Sequence, residues 1–277
     1  PHPDAFNNKK PWQRIIVLLA GAFMNYLLAL VLLIISFLAC GQLLLLTFTE
    51  PAEDPAYNEY SLHDRDVIIS CEGKDVYLTS DLMDALEGKK QGDLVSFVVS
   101  REGEEGRSIQ NVSVMLRADA DFDDLTDTAP LWEALGVEKQ YAEDGENFSY
   151  RIYTTSFKGF GFFESIGRSF TYSFRIGGTI FKVLGQLLTG DLGLSAFGGP
   201  VSTIKLTSQI ASRSVQQFLE ISAFIGVNLA VFNLLPIPAL DGSKVIFTAI
   251  EWVRGKPINR KVEAVIHAVG FVLLLGF

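Results

Sequence analysis

Residues 232–242 read FNLLPIPALDG and close an apolar run that begins near Phe218. Two prolines, an asparagine and a carboxylate thus stand where a lipid-facing helix has no use for them. Pro236 and Pro238 each lack an N–H and clash with the preceding turn, so the helix is predicted to end near Leu235. Phe218 to Leu235 then gives about 18 residues, enough to cross most of a bilayer. Irregular backbone at that depth is tolerated only where it lines a cavity or is buried in protein, and an ionisable residue there marks a functional site. Asp241 is therefore the first candidate site residue. Three uses are open to it: a salt bridge with Lys244, a proton or ion relay, or ligation of a metal. Catalytic zinc needs further ligands beside a carboxylate, usually imidazoles. The histidines are His2, His63 and His267, and no HExxH pair exists among them.

The rest of the chain fits a membrane setting. Of 277 residues 48% are hydrophobic, yet 20% are charged and the net charge is -9, which implies membrane segments joined to an acidic, water-soluble part. No strongly basic domain is present, so nucleic acid is not an expected partner. Cys40 and Cys71 form no CxxC or Cys/His spacing and read as unpaired thiols. Pro1 stands where a methionine begins most chains, and the apolar run from Val262 to Phe277 is short for a span. Both features suggest a piece of a longer protein.

Residues 1–14 read as a cytoplasmic loop, and residues 15–46, uncharged throughout, as a transmembrane helix. Lys9, Lys10 and Arg14 before it, and Arg254, Lys256, Arg260 and Lys261 near the other end of the chain, place those flanks in the cytoplasm and residues 50 onward outside. Residues 50–118 alternate as strands at 67–71, 94–99 and 112–116, with a helix predicted from Ser80 to Leu86. Residues 119–150 are dense in acid, with Lys139 the only basic residue, and read as a solvated linker. Residues 161–190 space Arg168, Arg175 and Lys182 by seven among aromatic and aliphatic residues, the pattern of an amphipathic helix in the membrane interface. A Gly-Gly-Pro turn and short helix follow at 198–214. A transmembrane helix broken at Pro-Ile-Pro covers 216–254, and a truncated one covers 262–277. The predicted fold class is a polytopic α-helical membrane protein with an inserted α+β domain.

Within that insert, Pro55-Ala56, Leu62 to Ile68, Glu72-Gly73-Lys74 and Val98 to Gly103 resemble the motifs of PDZ domains in bacterial proteases, although Ser61 and Arg65 replace the usual glycines. Such domains bind peptides by adding a strand to a sheet edge. FNLLPIPALDG itself resembles the NLLPIPxLDGG signature of the site-2 protease family of intramembrane zinc metalloproteases, most closely the branch of bacterial regulator-of-sigma-E proteases. Trp12-Gln13-Arg14 with Ala20 to Asn25, and Gly198-Gly199-Pro200-Val201-Ser202, resemble further family segments in the right order. Ser243 stands for the second glycine and Phe23 for a common proline.

The resemblance implies that Asp241 is a zinc ligand, that Asn233 engages the substrate backbone, and that Pro236 and Pro238 hold the substrate-binding loop open. It implies that the HExxH histidines and glutamate lie on a preceding helix, so that these 277 residues alone are inactive. Gly21 and Asn25, four apart with Ala29 beyond, are expected to pack closely against that helix. The implied substrates are membrane-spanning segments of anti-sigma factors or remnant signal peptides, in the cytoplasmic (inner) membrane of a bacterium, with lipid as the surroundings. The alternatives carried beside it are a PDZ-bearing membrane scaffold without enzymatic activity and a transporter that uses Asp241 and Lys244 as a coupled pair.

Overall fold

The structure, a computed structural model, describes residues 9–104, 106–142, 147–157, 159–190, 200–256 and 258–276. Two compact units emerge. One holds the chain up to Ser36, Phe162–Phe181 and the C-terminal helices; the other holds Phe37–Gly161 and the stretch from Lys182.

The chain opens with helix α1, Pro11–Ala39. Proline suits the first helical turn, whose N–H groups have no partner in any case. Gly41 then takes a φ of +85° and its N–H donates to the Phe37 carbonyl, which ends the helix. The apolar run continues, but as strand β1, Gln42–Thr47. The expectation of one helix from 15 to 46 is corrected here: Leu43 to Leu46 pair along their whole length with Ser156 to Tyr153.

The sheet unit continues with α2 (Pro55–Glu59), β2 (Asp66–Cys71), β3 (Lys74–Asp75), α3 (Thr79–Leu86), β4 (Leu94–Gly103), β5 (Gly106–Met115), α4 (Ala129–Ala134), β6 (Lys139–Tyr141), β7 (Phe148–Tyr150) and β8 (Ile152–Phe157). Strands run in the order β5-β4-β2-β1-β8, with β3 on β2, and every pairing is antiparallel. Leu62, Ile68, Leu82, Leu86, Val95, Phe97 and Leu116 form the core. The same core takes in Phe122, Leu131, Trp132, Leu135 and Val137. Residues 119–150 are therefore not a solvated linker as a whole. Asp119, Asp121, Asp123, Asp127 and Glu133 are exposed while these apolar side chains go inside, and α4 brings Leu131, Trp132 and Ala134 to the core.

Asp66 is fully buried and accepts two hydrogen bonds from Arg101, Nε to Oδ1 at 2.8 Å and Nη2 to Oδ2 at 2.6 Å, with a third from the His63 amide. A buried carboxylate is tolerated only with such partners, and removing one member strands the other. Asp66→Asn is expected to destabilise the sheet unit by roughly 3 kcal/mol, the low end for a buried pair because Arg101 keeps some solvent contact. Chemical denaturation of the full chain in detergent, followed by Trp132 fluorescence, would measure it. Cys71 is also buried; desolvation, with the Glu72 charge adding, pushes its thiol up to about 12, so it stays protonated and inert near neutrality.

The helical unit comprises α1 with α5 (Phe162–Thr189, as far as Phe181), α6 (Pro200–Ala211), α7 (Val215–Leu234), α8 (Asp241–Arg254) and α9 (Arg260–Gly276). Gly198 and Gly199 of the expected turn lie outside the described residues. Among the described residues, α1 and α7 are long and apolar enough to cross a membrane. Their surfaces support that reading: Val17, Phe23, Met24, Leu28 and Leu229 are exposed, whereas Ala22, Ala29, Leu33, Ala223, Val227 and Ala230 are buried. On α5 the buried face is Ser165, Ser169, Ser173, Ile176 and Ile180, and Phe163, Phe174 and Phe181 face outward. That polarity is inverted relative to a helix in water.

Candidate active site

Three contacts fix the order of levels along α1. The Ser36 hydroxyl donates to Glu220 at 3.4 Å near the start of α7, and Asn25 and Ala29 lie so close to Gly226 that a Cβ there would meet them at 3.2 and 3.0 Å. Further along, Leu19, Ala22 and Tyr26 share an apolar cavity of about 640 Å³ with Phe174, Val231 and Leu234. Helices α1 and α7 are thus antiparallel, and α7 stops at the level of Leu19 to Tyr26. Arg14, more than a helix turn beyond, pairs with Glu251 of α8 at 2.7 Å. The break that follows α7 therefore begins at the level of Leu19 to Tyr26, part way along α1.

The HExxH helix against which Gly21 and Asn25 are expected to pack is not among these residues. Asn25 and Ala29 meet Gly226 of α7, whereas nothing lies within 4 Å of where a Gly21 side chain would begin.

Leu235 leaves the helix with a φ of -65° and ψ of 145°, the extended conformation that a following proline demands. The Leu240 amide then donates to the Ile237 carbonyl at 3.1 Å, closing a turn with Pro238 and Ala239 at its centre. Ala239 has a φ of +80°, where a type II turn wants glycine, at a strain of about 1 kcal/mol. Its amide donates to Nδ1 of His267 on α9 at 2.9 Å. Helix α8 starts at once, with Asp241 in its first turn, where the unpaired amides of a helix start favour a carboxylate.

Asp241 is half-buried, and one carboxylate oxygen accepts from Lys244 at 3.1 Å. Both side chains keep more than a third of their surface in the open, so this pair contributes about 0–1 kcal/mol and leaves the carboxylate free to change partner. Gly242 is pressed against the end of α7: a Cβ there would stand 2.3 Å from the Leu235 carbonyl oxygen and 2.5 Å from that of Leu234. Ser243, where the family signature has glycine, is buried with its hydroxyl donating to the Leu240 carbonyl. The Asn233 side chain is half-buried and makes no side-chain hydrogen bond to another described residue. Pro236 is exposed at the mouth of the break, and Pro238 packs against Gly270 of α9.

A lone carboxylate at a helix start is one good oxygen ligand for zinc and no more. Among the described residues no group of three His, Cys, Asp or Glu side chains is placed to hold a metal ion. His267 does not add a ligand, since its Nδ1 already accepts the Ala239 amide; the neutral ring then carries its proton on Nε2. These residues fit one corner of a zinc site.

Comparison with known proteins identifies the family. Zinc metalloprotease RasP of Bacillus licheniformis is 29% identical over 282 residues, covering 99% of this chain and 59% of its own length. Regulator of sigma-W protease RasP of Bacillus subtilis is 29% identical over 280 residues with the same coverage of each. Regulator of sigma E protease of Haemophilus influenzae is 37% identical over 124 residues, 45% of this chain and 28% of its own. The chain thus spans 59% of the length of the two RasP relatives. The profile of peptidase family M50 matches residues 1–277, end to end. The chain is a membrane protein of peptidase family M50, the family of site-2 proteases that its FNLLPIPALDG stretch resembles.

Proposed function

We propose that the full-length protein is an intramembrane zinc endopeptidase and that Asp241 is one of its zinc ligands, the others coming from outside these 277 residues. The observation that carries this reading is a carboxylate at the start of α8, immediately after an irregular break part way along an apolar helix pair. A zinc ion bound there would supply a water acidic enough to lose a proton near neutral pH.

The residues of this chain have distinct parts in the reaction. Asp241 would hold the metal through its carboxylate, which here accepts from Lys244. Asn233, its amide not engaged by another described residue, hydrogen-bonds the backbone of a substrate that must unwind before its peptide bond can be reached. Pro236 and Pro238 keep the loop from closing into helix, since neither offers an N–H to a continuing turn. Helices α1 and α7 exclude bulk water around the site.

The printed names of the relatives, regulators of sigma-W and sigma-E, support membrane-spanning segments of anti-sigma factors as substrates, with remnant signal peptides as a second class. The basic flanks at Lys9, Lys10 and Arg14 and at Arg254 support placing those ends in the cytoplasm of a bacterium and the sheet unit outside the inner membrane. The order of β2, α3, β4 and β5 supports the PDZ-like reading. In this sheet β2 is flanked on both sides, so a peptide that adds a strand would pair along β5 or β8. Arg65 has a φ of +65°, the conformation that suits the glycine it replaces in the motif. Helix α5, with its aromatic side outward, fits a place in lipid or at its interface.

Purified full-length protein in detergent should cleave a synthetic transmembrane substrate within its apolar segment, lose that activity on chelation and regain it with added zinc. Cleavage confined to the soluble flank of the substrate, or activity indifferent to chelation, would refute the proposal.

A further inference from the structure

Helix α9 touches the turn ahead of Asp241 at two points on one of its faces. His267 accepts the Ala239 amide at 2.9 Å, and Gly270, one turn further, lies so close to Pro238 that a Cβ would meet the Pro238 Cβ at 2.3 Å and its carbonyl oxygen at 2.8 Å. The imidazole stands edge-on to Phe247 of α8, with ring centres 5.7 Å apart. His267 thereby touches both the turn before Asp241 and the helix that Asp241 begins.

Two features show that this is more than packing. Ala239 holds a left-handed φ that alanine resists, and the turn's own hydrogen bond comes from Leu240, so the Ala239 amide has its partner in His267 alone among the described residues. Also, Nε2 of His267 is buried and has no hydrogen-bond partner among the described residues. An apolar side chain would avoid that cost, so a histidine here is explained by what Nδ1 does. Groups that orient a metal ligand from behind commonly matter almost as much as the ligand itself.

We propose that His267 and Gly270 form a clamp on the Pro238–Ala239 turn, making His267 a positioning residue that sets where Asp241 presents its carboxylate. The clamp rests on the reading of Asp241 as a zinc ligand. His267 is not itself a ligand.

The test uses the full-length protein in detergent with His267→Phe, His267→Gln and His267→Asn. The amide oxygen of asparagine reaches the place of Nδ1, whereas glutamine reaches past it and phenylalanine offers no acceptor. Hydrogen exchange of the peptide 236–244 reads the clamp directly, and zinc affinity by competition with a chelator reads its consequence. The Phe and Gln variants should exchange at least about 10-fold faster in this peptide and bind zinc about 10–100-fold more weakly, with both values restored close to wild type in His267→Asn. Unchanged exchange in His267→Phe would overturn the clamp. Faster exchange with undiminished zinc affinity would show that the turn does not position Asp241, and would equally overturn it. If Asp241→Asn, measured alongside, keeps its zinc, the ligand reading itself fails and the clamp proposal falls with it.

Discussion

Gly242→Ala in the full-length protein is expected to lower cleavage of a transmembrane substrate by about 10–100-fold, the range seen when a supporting group behind a metal ligand is lost. The reason is steric and local. The new methyl would stand 2.3 Å from the Leu235 carbonyl oxygen and 2.6 Å from the Leu234 carbonyl carbon, both backbone atoms that no rotamer change can move aside. Helix α8 must then shift away from the end of α7 and take Asp241 with it. The shift also breaks close packing, so unfolding should become easier by about 1–3 kcal/mol, as for other overpacked sites. Cleavage assays paired with thermal unfolding separate the two effects. A variant that keeps activity while losing stability would show that the α7–α8 junction tolerates movement without consequence for the site. Gly167→Ala on α5 is the matched control, because nothing lies within 4 Å of its added methyl.

The break that organises this site was legible because proline acts through its own covalent geometry. Pro236 and Pro238 end a helix in any surroundings, and α7 ends at Leu234, one residue from the expected point. Strands β2, β4 and β5 and helix α3 were likewise legible, because alternation and the Gly88 stop are local signals.

What failed locally was the reading of hydropathy as length. Leu43 to Leu46 look like more of α1, and only Gly41, with its positive φ, marks the turn into β1. The acidic stretch misled in the opposite way: Leu131, Trp132, Leu135 and Val137 are close together in sequence and core in structure, but the surrounding charges dominate the composition. On α5 the serines at 165, 169 and 173, four apart, were the buried face, a pattern masked by the more conspicuous cations.

At the site, Asp241, Asn233, Pro236 and Pro238 could be singled out from the chain, the first by its charge at membrane depth and the others through the family signature. His267 and Gly270 could not. Their partners are 28 and 32 residues away along the chain, and nothing in the sequence near them announces a turn to be held. Long-range contacts of this kind come from the packing of α9 against the break, and a single sequence carries no record of it.

The central claim is that Asp241 binds zinc, and metal content measures it most directly. Lys244 supplies the comparison, because the two side chains meet at 3.1 Å and a reading based on their ion pair predicts equal damage from either loss. Full-length wild-type protein, Asp241→Asn and Lys244→Ala would be purified without added metal and analysed for bound zinc per chain. The wild type and Lys244→Ala should each hold about one zinc, while Asp241→Asn should fall close to none, since catalytic zinc sites have about three protein ligands and no spare. One zinc retained by Asp241→Asn would contradict the account.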